Sequence, residues 1–431
     1  SGRNKELYNI TKRLTGKNWR KASSVKNKQG VLIKGNEERM KRWKEHFSEV
    51  LNRDNPSNPI EENPDRIIDQ NIEIHVDESE IKNIEVKEAI KRLKNGKTPG
   101  QDQIQTEMLK ADSITSEAEL TKLFNKIWQK EQVPSSWKKG MIIKIPKKGD
   151  MRECKNWRGV TMLPVISKIF GRMLINRIKN GVDKVLRKEQ AGFREKRSTT
   201  EQIFVLRNIL EQANEWRAPI YIHFVDFEKA FDSVHREGLW NIMGAYGIPR
   251  KLITMVKAMY DGFQCTVVDE GEQTEWFNIT SGVKQGCVMS GFLFLLVTDW
   301  IMRKTLDHHR TGLRWDFTTV LEDLDFADDI ALLASKHEHI QIKTNRLVEE
   351  ARRTGLKLNA EKCKTMRANT RIQEQIKIED RGVEDVEEFI YLGAKMKIDG
   401  GGTEDIQLRL GKARGAFRSL WKIWQDKQIG R

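Results

Sequence analysis

Two stretches constrain this chain more than any others: FVDFEKAFD, from Phe224 to Asp232, and LDFADDIALL, from Leu324 to Leu333. The first is entered through IYIHFVD, whose apolar alternation predicts a half-buried strand that delivers Asp226 at its end. The second puts Asp328 and Asp329 between two apolar runs, as a hairpin tip would, with Asp328 lying 102 residues after Asp226. Either piece alone fits ordinary turn and edge residues. Together they predict that three carboxylates meet at strand ends.

Carboxylates crowded in this way raise one another's pKa unless something positive neutralises them. A pair of Mg²⁺ ions answers that need, because Mg²⁺ is held by one or two carboxylates plus substrate phosphates and keeps several waters. Two such ions stabilise the attacking and leaving oxygens of an in-line displacement, which is the chemistry of phosphoryl or nucleotidyl transfer.

The charge balance points the same way. The 431 residues hold 77 Lys and Arg against 62 Asp and Glu, a net charge of +15 that suits a polyanionic partner. No apolar run approaches 18 residues, so no membrane-spanning helix is predicted, and the start SGRNKELYNI lacks a signal core. Ser1-Gly2 without an initiator Met reads as a cleaved tag or a fragment boundary. Cys154, Cys265, Cys287 and Cys363 are far apart and show no zinc spacing, so they read as reduced, mostly buried thiols. His308-His309, His337 and His339 read as solvated positions near helix ends.

Along the chain, NKELYNITKRL and NEERMKRWKEHFSEVL read as basic helices. The second has Asn36 as N-cap, Arg39 in place of the capping-box acid, and Met40, Trp43, Phe47 and Val50 on one face. DNPSNPIEENPD, residues 54–65, reads as a linker. The next helix should turn Ile84, Ala89, Ile90 and Leu93 inward and stop at Gly96 and Pro99. The NGKT there lacks the strand and earlier Gly of a phosphate-binding loop. Residues 106–131 read as helical. Trp137 to Pro164 reads as a β-ribbon studded with Lys138, Lys139, Lys144, Lys147, Lys148, Arg152, Lys155 and Arg158, either a solvated face or, beside clustered carboxylates, a triphosphate clamp. A helix follows over 164–188, and another is capped by Ser198 or Thr199 with Gln202 as box partner. SGVKQG, before an apolar helix capped by Ser290, reads equally as a plain loop or as a Gly-softened backbone lying close to a base pair. The last helix carries Ile406, Leu410, Ala413, Phe417 and Leu420 on one side. Strand–helix alternation followed by antiparallel hairpins predicts an α+β fold.

Eight ordered blocks carry a family resemblance over about residues 85–431: NGKTPGQDQI, IIKIPKKGD with NWRGVTML, QAGFREKRST, FVDFEKAFDSV, SGVKQGCVMSGFLF, LDFADD, GLKLNAEKCK and EFIYLG. With these the chain resembles the reverse transcriptase of non-LTR (LINE-type) retrotransposons, nearest in wording to the RTE-like branch.

The resemblance implies an α+β right-hand polymerase. Residues 1–65 would be a basic extension and linker, 66–219 fingers with part of the palm, 220–397 a palm of antiparallel sheet with packed helices, and 398–431 the start of a thumb. It implies RNA-directed DNA synthesis with two Mg²⁺, or Mn²⁺ in their place, held by Asp226 and Asp328 with Asp329 beside them. Phe231, five residues after Asp226, would block a ribose 2′-hydroxyl. Lys147 or Lys148 with Arg158 would clasp the triphosphate, and Lys362 or Lys364 would assist near pyrophosphate. Gln285 and Gly286 would lie against the incoming base pair and template. Gln190, Gly192, Phe193 and Arg194 would shape the template track, and Asn359 belongs to the primer–template set. Asp232, six residues past Asp226, reads as structural. The chain departs from the family at Val288-Met289-Ser290-Gly291, where Pro-Leu-Ser-Pro is common, and at Phe326, where Tyr is common.

Implied partners are template RNA, a DNA primer or nicked target DNA and dNTPs, with no membrane. The chain would act as a monomer or within a polyprotein carrying an endonuclease domain. The implied location is intracellular, nuclear for target-primed synthesis with a cytoplasmic ribonucleoprotein stage. The rival expectation is a catalytically quiet scaffold that keeps the fold to grip RNA.

Overall fold

The computed structural model describes residues 24–67, 74–306, 311–315, 319–372, 374–421 and 425. The helix expected over NKELYNITKRL and the His308-His309 pair lie outside them. Helix α1 (Asn36–Leu51) buries Trp43, Phe47 and Val50, as the 3.6-residue spacing requires. Its N-cap is Gly35, not Asn36; Asn36 Oδ1 instead accepts from Arg39 Nη2 at 2.7 Å. Within the expected linker, Ile60 is buried in the main core. Helix α2 (Asn83–Lys91) buries Val86, Ala89 and Ile90, while Ile84 points outward at 55% exposure, against expectation. Only half of a capping box closes there, with Glu85 Oε2 accepting from Lys82 N at 3.0 Å. The helical stretch after Gln105 breaks into α3 (Thr106–Ala111) and α4 (Ser113–Lys130), because the Asp112 side chain caps a new helix by accepting from Thr115 N.

The charged ribbon is β1 (Lys139–Pro146) paired antiparallel with β2 (Trp157–Met162). Two long helices follow, α5 (Val165–Asp183) and α6 (Thr199–Glu215). In α6 Ser198 is the N-cap residue without a side-chain cap bond, and Gln202 Nε2 donates to Glu189 O instead of closing a box. Strand β3 (Ile220–Val225) leads into α7 (Ala230–Ser233), α8 (Arg236–Ala245) and α9 (Arg250–Tyr260). Next come β4 (Gln264–Asp269), β5 (Glu272–Gln273) and β6 (Phe277–Asn278), then the apolar α10 (Ser290–Leu306). The remainder runs β7 (Leu313–Arg314), β8 (Val320–Leu321), β9 (Asp323–Phe326), β10 (Asp329–Ala334), α11 (His337–Arg353) and β11 (Lys364–Ala368). Short strands β12 (Lys377–Ile378), β13 (Arg381–Gly382), β14 (Glu384–Asp385), β15 (Glu388–Tyr391) and β16 (Ala394–Lys397) precede α12 (Thr403–Ser419).

Two larger sheets result, and the α+β expectation is met. One has the order β2-β1-β4-β5 with β6 also on β4, and its β1–β4 pair is parallel. Helix α1 packs on it: Trp43 and Phe47 share a core with Ile142, Phe263, Cys265 and Val267. The other has the order β14-β11-β3-β10-β9, antiparallel apart from β14 on β11.

All six residues of β3 are buried, where alternation had predicted one wet face. The strand is central. Tyr221 and Val225 face a core shared with α10 and α11, whereas Ile220, Ile222 and Phe224 face α6 and the β15–β16 hairpin, with Phe224 stacked on Phe389 at 4.1 Å. A polar residue in such a strand needs a partner, and His223 finds one in Thr365 Oγ1 at 3.0 Å. In α12 the expected inward face is outward: Ile406 and Phe417 are each 58% exposed, and the helix is tied down instead by Asp405, which accepts from Arg207 and from Lys395 N.

Candidate active site

Register alone brings the acidic pieces together. Val225, the last residue of β3, pairs with Ile330 of β10, so the residues just beyond it sit beside the β9–β10 turn. That turn is Ala327–Asp328, closed by the Phe326–Asp329 pair, with Ala327 at φ +60°. Asp226 is held from behind, its N–H donating to Cys363 Sγ at 3.3 Å and its carbonyl accepting from Asn359 N at 2.8 Å. Asp226 and Asp328 line one cavity of about 630 Å³, together with Lys147, Arg158, Phe231, Gln285, Gly286 and Lys362. Asp329 is exposed and is not among the lining side chains.

The electrostatics are those of crowded carboxylates. Burial, then the nearby Asp226, push the Asp328 carboxyl up from its ordinary value; Arg158 pulls the other way. Asp329 is pushed up to about 6 by partial desolvation, then by Asp328 and Asp226. The nearest countercharge is Lys362, whose Nζ lies 3.3 Å from Asp226 Oδ1. Among the described residues no three His, Cys, Asp or Glu side chains form a complete metal cage. Two carboxylates offering hard oxygen donors and opening on a cavity nonetheless fit Mg²⁺, which takes its remaining ligands from water and phosphate.

The predicted basic residues divide. Lys147, Arg158 and Lys362 face the cavity, while Lys148 is exposed and outside its lining. Lys364 turns away to Glu384 at 2.6 Å and to Glu361 O at 2.9 Å, so it is not beside Asp226. Lys144, counted in the ribbon's charge, is no clamp either: it pairs with Asp269 and sits over the Trp43 ring at 4.0 Å. Asn359 turns the chain behind Asp226, its Oδ1 accepting from Lys362 N at 3.3 Å.

SGVKQG is a close-approach loop. A Cβ at Gly286, which has φ +107°, would lie 2.6 Å from Thr161 O, and Gln285 O accepts from Thr161 N at 2.7 Å. Gly286 is thus pressed on β2. Lys284 is buried, donating to Met259 O over the Phe263 ring, and burial lowers its pKa to about 7. Phe231 stacks on Phe294 with ring centres 4.5 Å apart and meets Phe193 edge-on at 6.2 Å.

The QAGFR segment packs beneath and beside the acidic turn. Gln190 is fully buried under the acidic turn. Arg194 is spent on Asp183, Arg187 O and Gln190 O. Gly192 is pressed against Ala327, and only Phe193, 55% exposed with φ +57°, faces the cavity.

Sequence reasoning missed three groups. Arg187 is buried between Asp323 and Asp325 on β9, and its N–H donates to Asp299. Two Asp at alternate positions of a strand share a face, a signal that a cation had to be found for them. Lys229, in the left-handed region at φ +49°, lines the cavity with its pKa lowered to about 8, first by burial and then by Arg53. His46 and Phe47 of α1 also line it, although nothing in their local sequence links them to Asp226.

The site is thus an acidic pair at strand ends, in a cavity rimmed by lysine and arginine. Residues 145–396, more than half of the chain, match the family described as reverse transcriptase (RNA-dependent DNA polymerase), and the chain belongs to it. Its relatives place it with the non-LTR, LINE-type retrotransposon branch. It is 28% identical to the Transposon TX1 uncharacterized 149 kDa protein of Xenopus laevis, over 58% of this chain and 19% of that protein. It is 26% identical to the Pol polyprotein from the type-2 retrotransposable element R2DM of Drosophila melanogaster, over 57% of this chain and 23% of that protein. To the RNA-directed DNA polymerase from mobile element jockey, also of Drosophila melanogaster, it is 27% identical over 84% of this chain and 40% of that protein. The chain therefore spans well under half of these relatives. The solved structure of apo telomerase from Candida tropicalis, truncated from its C-terminal domain, aligns at a TM-score of 0.43 and 18% identity, over 63% of this chain and 56% of that one. Among the described residues no helix is long and apolar enough to cross a membrane.

Proposed function

We propose that this chain is the RNA-directed DNA polymerase core of a retrotransposon protein, adding dNTPs to a primer 3′-hydroxyl on an RNA template. The observation that carries the reading is the convergence of Asp226 and Asp328 on one cavity with Lys147, Arg158 and Lys362 on its walls. Asp226 and Asp328 would hold two Mg²⁺, with Asp329 at their side; bound, the ions neutralise charge on the attacking and leaving oxygens. Lys147 and Arg158 receive the triphosphate, Arg158 offering a planar fork that matches phosphate oxygens. Lys362 neutralises Asp226 until the polyphosphate arrives, then lies within reach of the leaving pyrophosphate. Phe231, fixed by its stack on Phe294, presents a ring edge where a ribose 2′-hydroxyl would collide.

In this reading residues 66–219 serve as fingers with part of the palm, 220–397 as palm and 398–431 as the start of a thumb, and synthesis takes place on nicked DNA in the nucleus. Primer extension on an RNA template with Mg²⁺, comparing the chain with Asp328→Ala, tests it. Extension by the wild type and none by the variant is expected. Persistence in the variant removes Asp328 from its role, and no extension by either supports the quiet RNA-binding scaffold.

A further inference from the structure

The acidic turn is a strained object. Ala327 carries a side chain at φ +60°, a conformation that costs an L residue energy unless neighbours hold it, and it immediately precedes Asp328. Strand β9 lies at the edge of its sheet, so no further named strand pairs with its outer side.

The segment Glu189–Gly192 occupies that side. Ala191 N donates to Asp325 O at 2.9 Å and Asp325 N donates to Glu189 O at 3.4 Å, a parallel bridge along β9. At the end of this bridge Gln190 Oε1 accepts from Ala327 N at 2.9 Å and from Gly192 N at 2.8 Å, and its Nε2 reaches Ala327 O at 3.5 Å. Gln190 has no exposed surface. A Cβ on Gly192 would collide with the Ala327 backbone, so the segment can approach this closely only with glycine there.

We propose that Gln190 is a positioning residue for Asp328: its amide grips both backbone polar groups of Ala327 and so fixes the turn that presents the Asp328 carboxylate to a divalent cation. The inference rests on the reading of Asp226 and Asp328 given above. Gln190 itself touches neither cation nor substrate. An outer group that orients a ligand in this way typically governs metal affinity by 10- to 100-fold.

The test is Mn²⁺ binding to the full chain, followed by loss of the free-ion EPR signal, with primer-extension kcat and dNTP KM measured alongside. Gln190→Met keeps the volume and removes the bonds; it should weaken Mn²⁺ binding by about tenfold and lower kcat with little change in dNTP KM. Gln190→Asn withdraws the accepting oxygen by one methylene and carries the same expectation as the Met variant should the latter fail to fold. Wild-type Mn²⁺ affinity in the folded Met or Asn variant overturns the proposal. Asp328→Ala is the control: if it binds Mn²⁺ like wild type, the cation site itself has been misread, whereas its loss beside an unaffected Gln190→Met refutes the positioning role alone.

Discussion

The side-chain amide of Gln285 donates to both carboxylate oxygens of Asp232, at 2.9 and 3.0 Å, on the wall of the cavity that Asp226 and Asp328 share. Asp232 thereby orients the one amide that the reading sets against the incoming base pair.

A pH dependence follows from the burial of that carboxylate. Burial pushes the Asp232 carboxyl up to about 6, against the opposing pull of Gln285, Lys229 and Lys147. A carboxyl raised on folding makes its stabilising contribution at low pH and loses it as pH rises from its unfolded value near 4 through 6. Asp232→Asn should therefore gain stability relative to wild type by on the order of 1–3 kcal/mol between pH 4 and pH 8, read from urea unfolding at the two pH values. A difference that does not vary with pH would refute the assignment.

Sugar selection should depend on Phe231. Its ring is held by Phe294 and Phe193, so truncation opens the cavity wall without disturbing Asp226 five residues away. Phe231→Ala is expected to lower the dNTP-over-rNTP preference in kcat/KM on the order of 10- to 100-fold. Unchanged preference would place the discrimination elsewhere.

The two lysines of the NAEKCK block should behave differently. Lys362 is 3.3 Å from Asp226, whereas Lys364 is bound to Glu384 on the sheet's outer strand pair. Lys362→Ala should reduce kcat on the order of 10- to 100-fold. Lys364→Ala, which breaks only a surface pair, should leave it within about twofold. Equal losses in a single-turnover assay would contradict the geometry.

Arg187 should matter to folding more than to chemistry. It is the buried cation between Asp323 and Asp325, and burial with Asp323 pushes the Asp325 carboxyl well up despite it. Arg187→Leu leaves those carboxylates uncompensated and should cost about 3–5 kcal/mol in urea unfolding. A loss below about 1 kcal/mol would mean the carboxylates find protons or water at little cost.

Much of the scaffold was legible because its signals are local. Alternation marked β3, the apolar runs either side of Ala-Asp-Asp marked the β9–β10 hairpin, and three- and four-residue spacing marked α1 and α5. Edges and faces were less so. Ile84 faces water because Val86 and Ala89 already fill the inward stripe of α2, and Asn36 is no cap because Arg39 draws its side chain aside.

By itself, then, the order of residues determined that Asp226 and Asp328 stand at strand ends, that the chain is basic and that its elements alternate as an α+β fold. Only the tertiary structure decided which charges share the cavity. Lys147, Arg158 and Lys362 enter it, while Lys144, Lys364 and Arg194 are taken up by Asp269, Glu384 and Asp183. It also decided the buried grip of Gln190 on Ala327, and put His46 of α1 on the cavity wall. The reason is physical: strand and helix periodicity act over a few residues, whereas the partner of a charged or amide side chain is set by sheet register and packing between separate segments, 11 residues apart for Arg194 and Asp183 and 137 apart for Gln190 and Ala327.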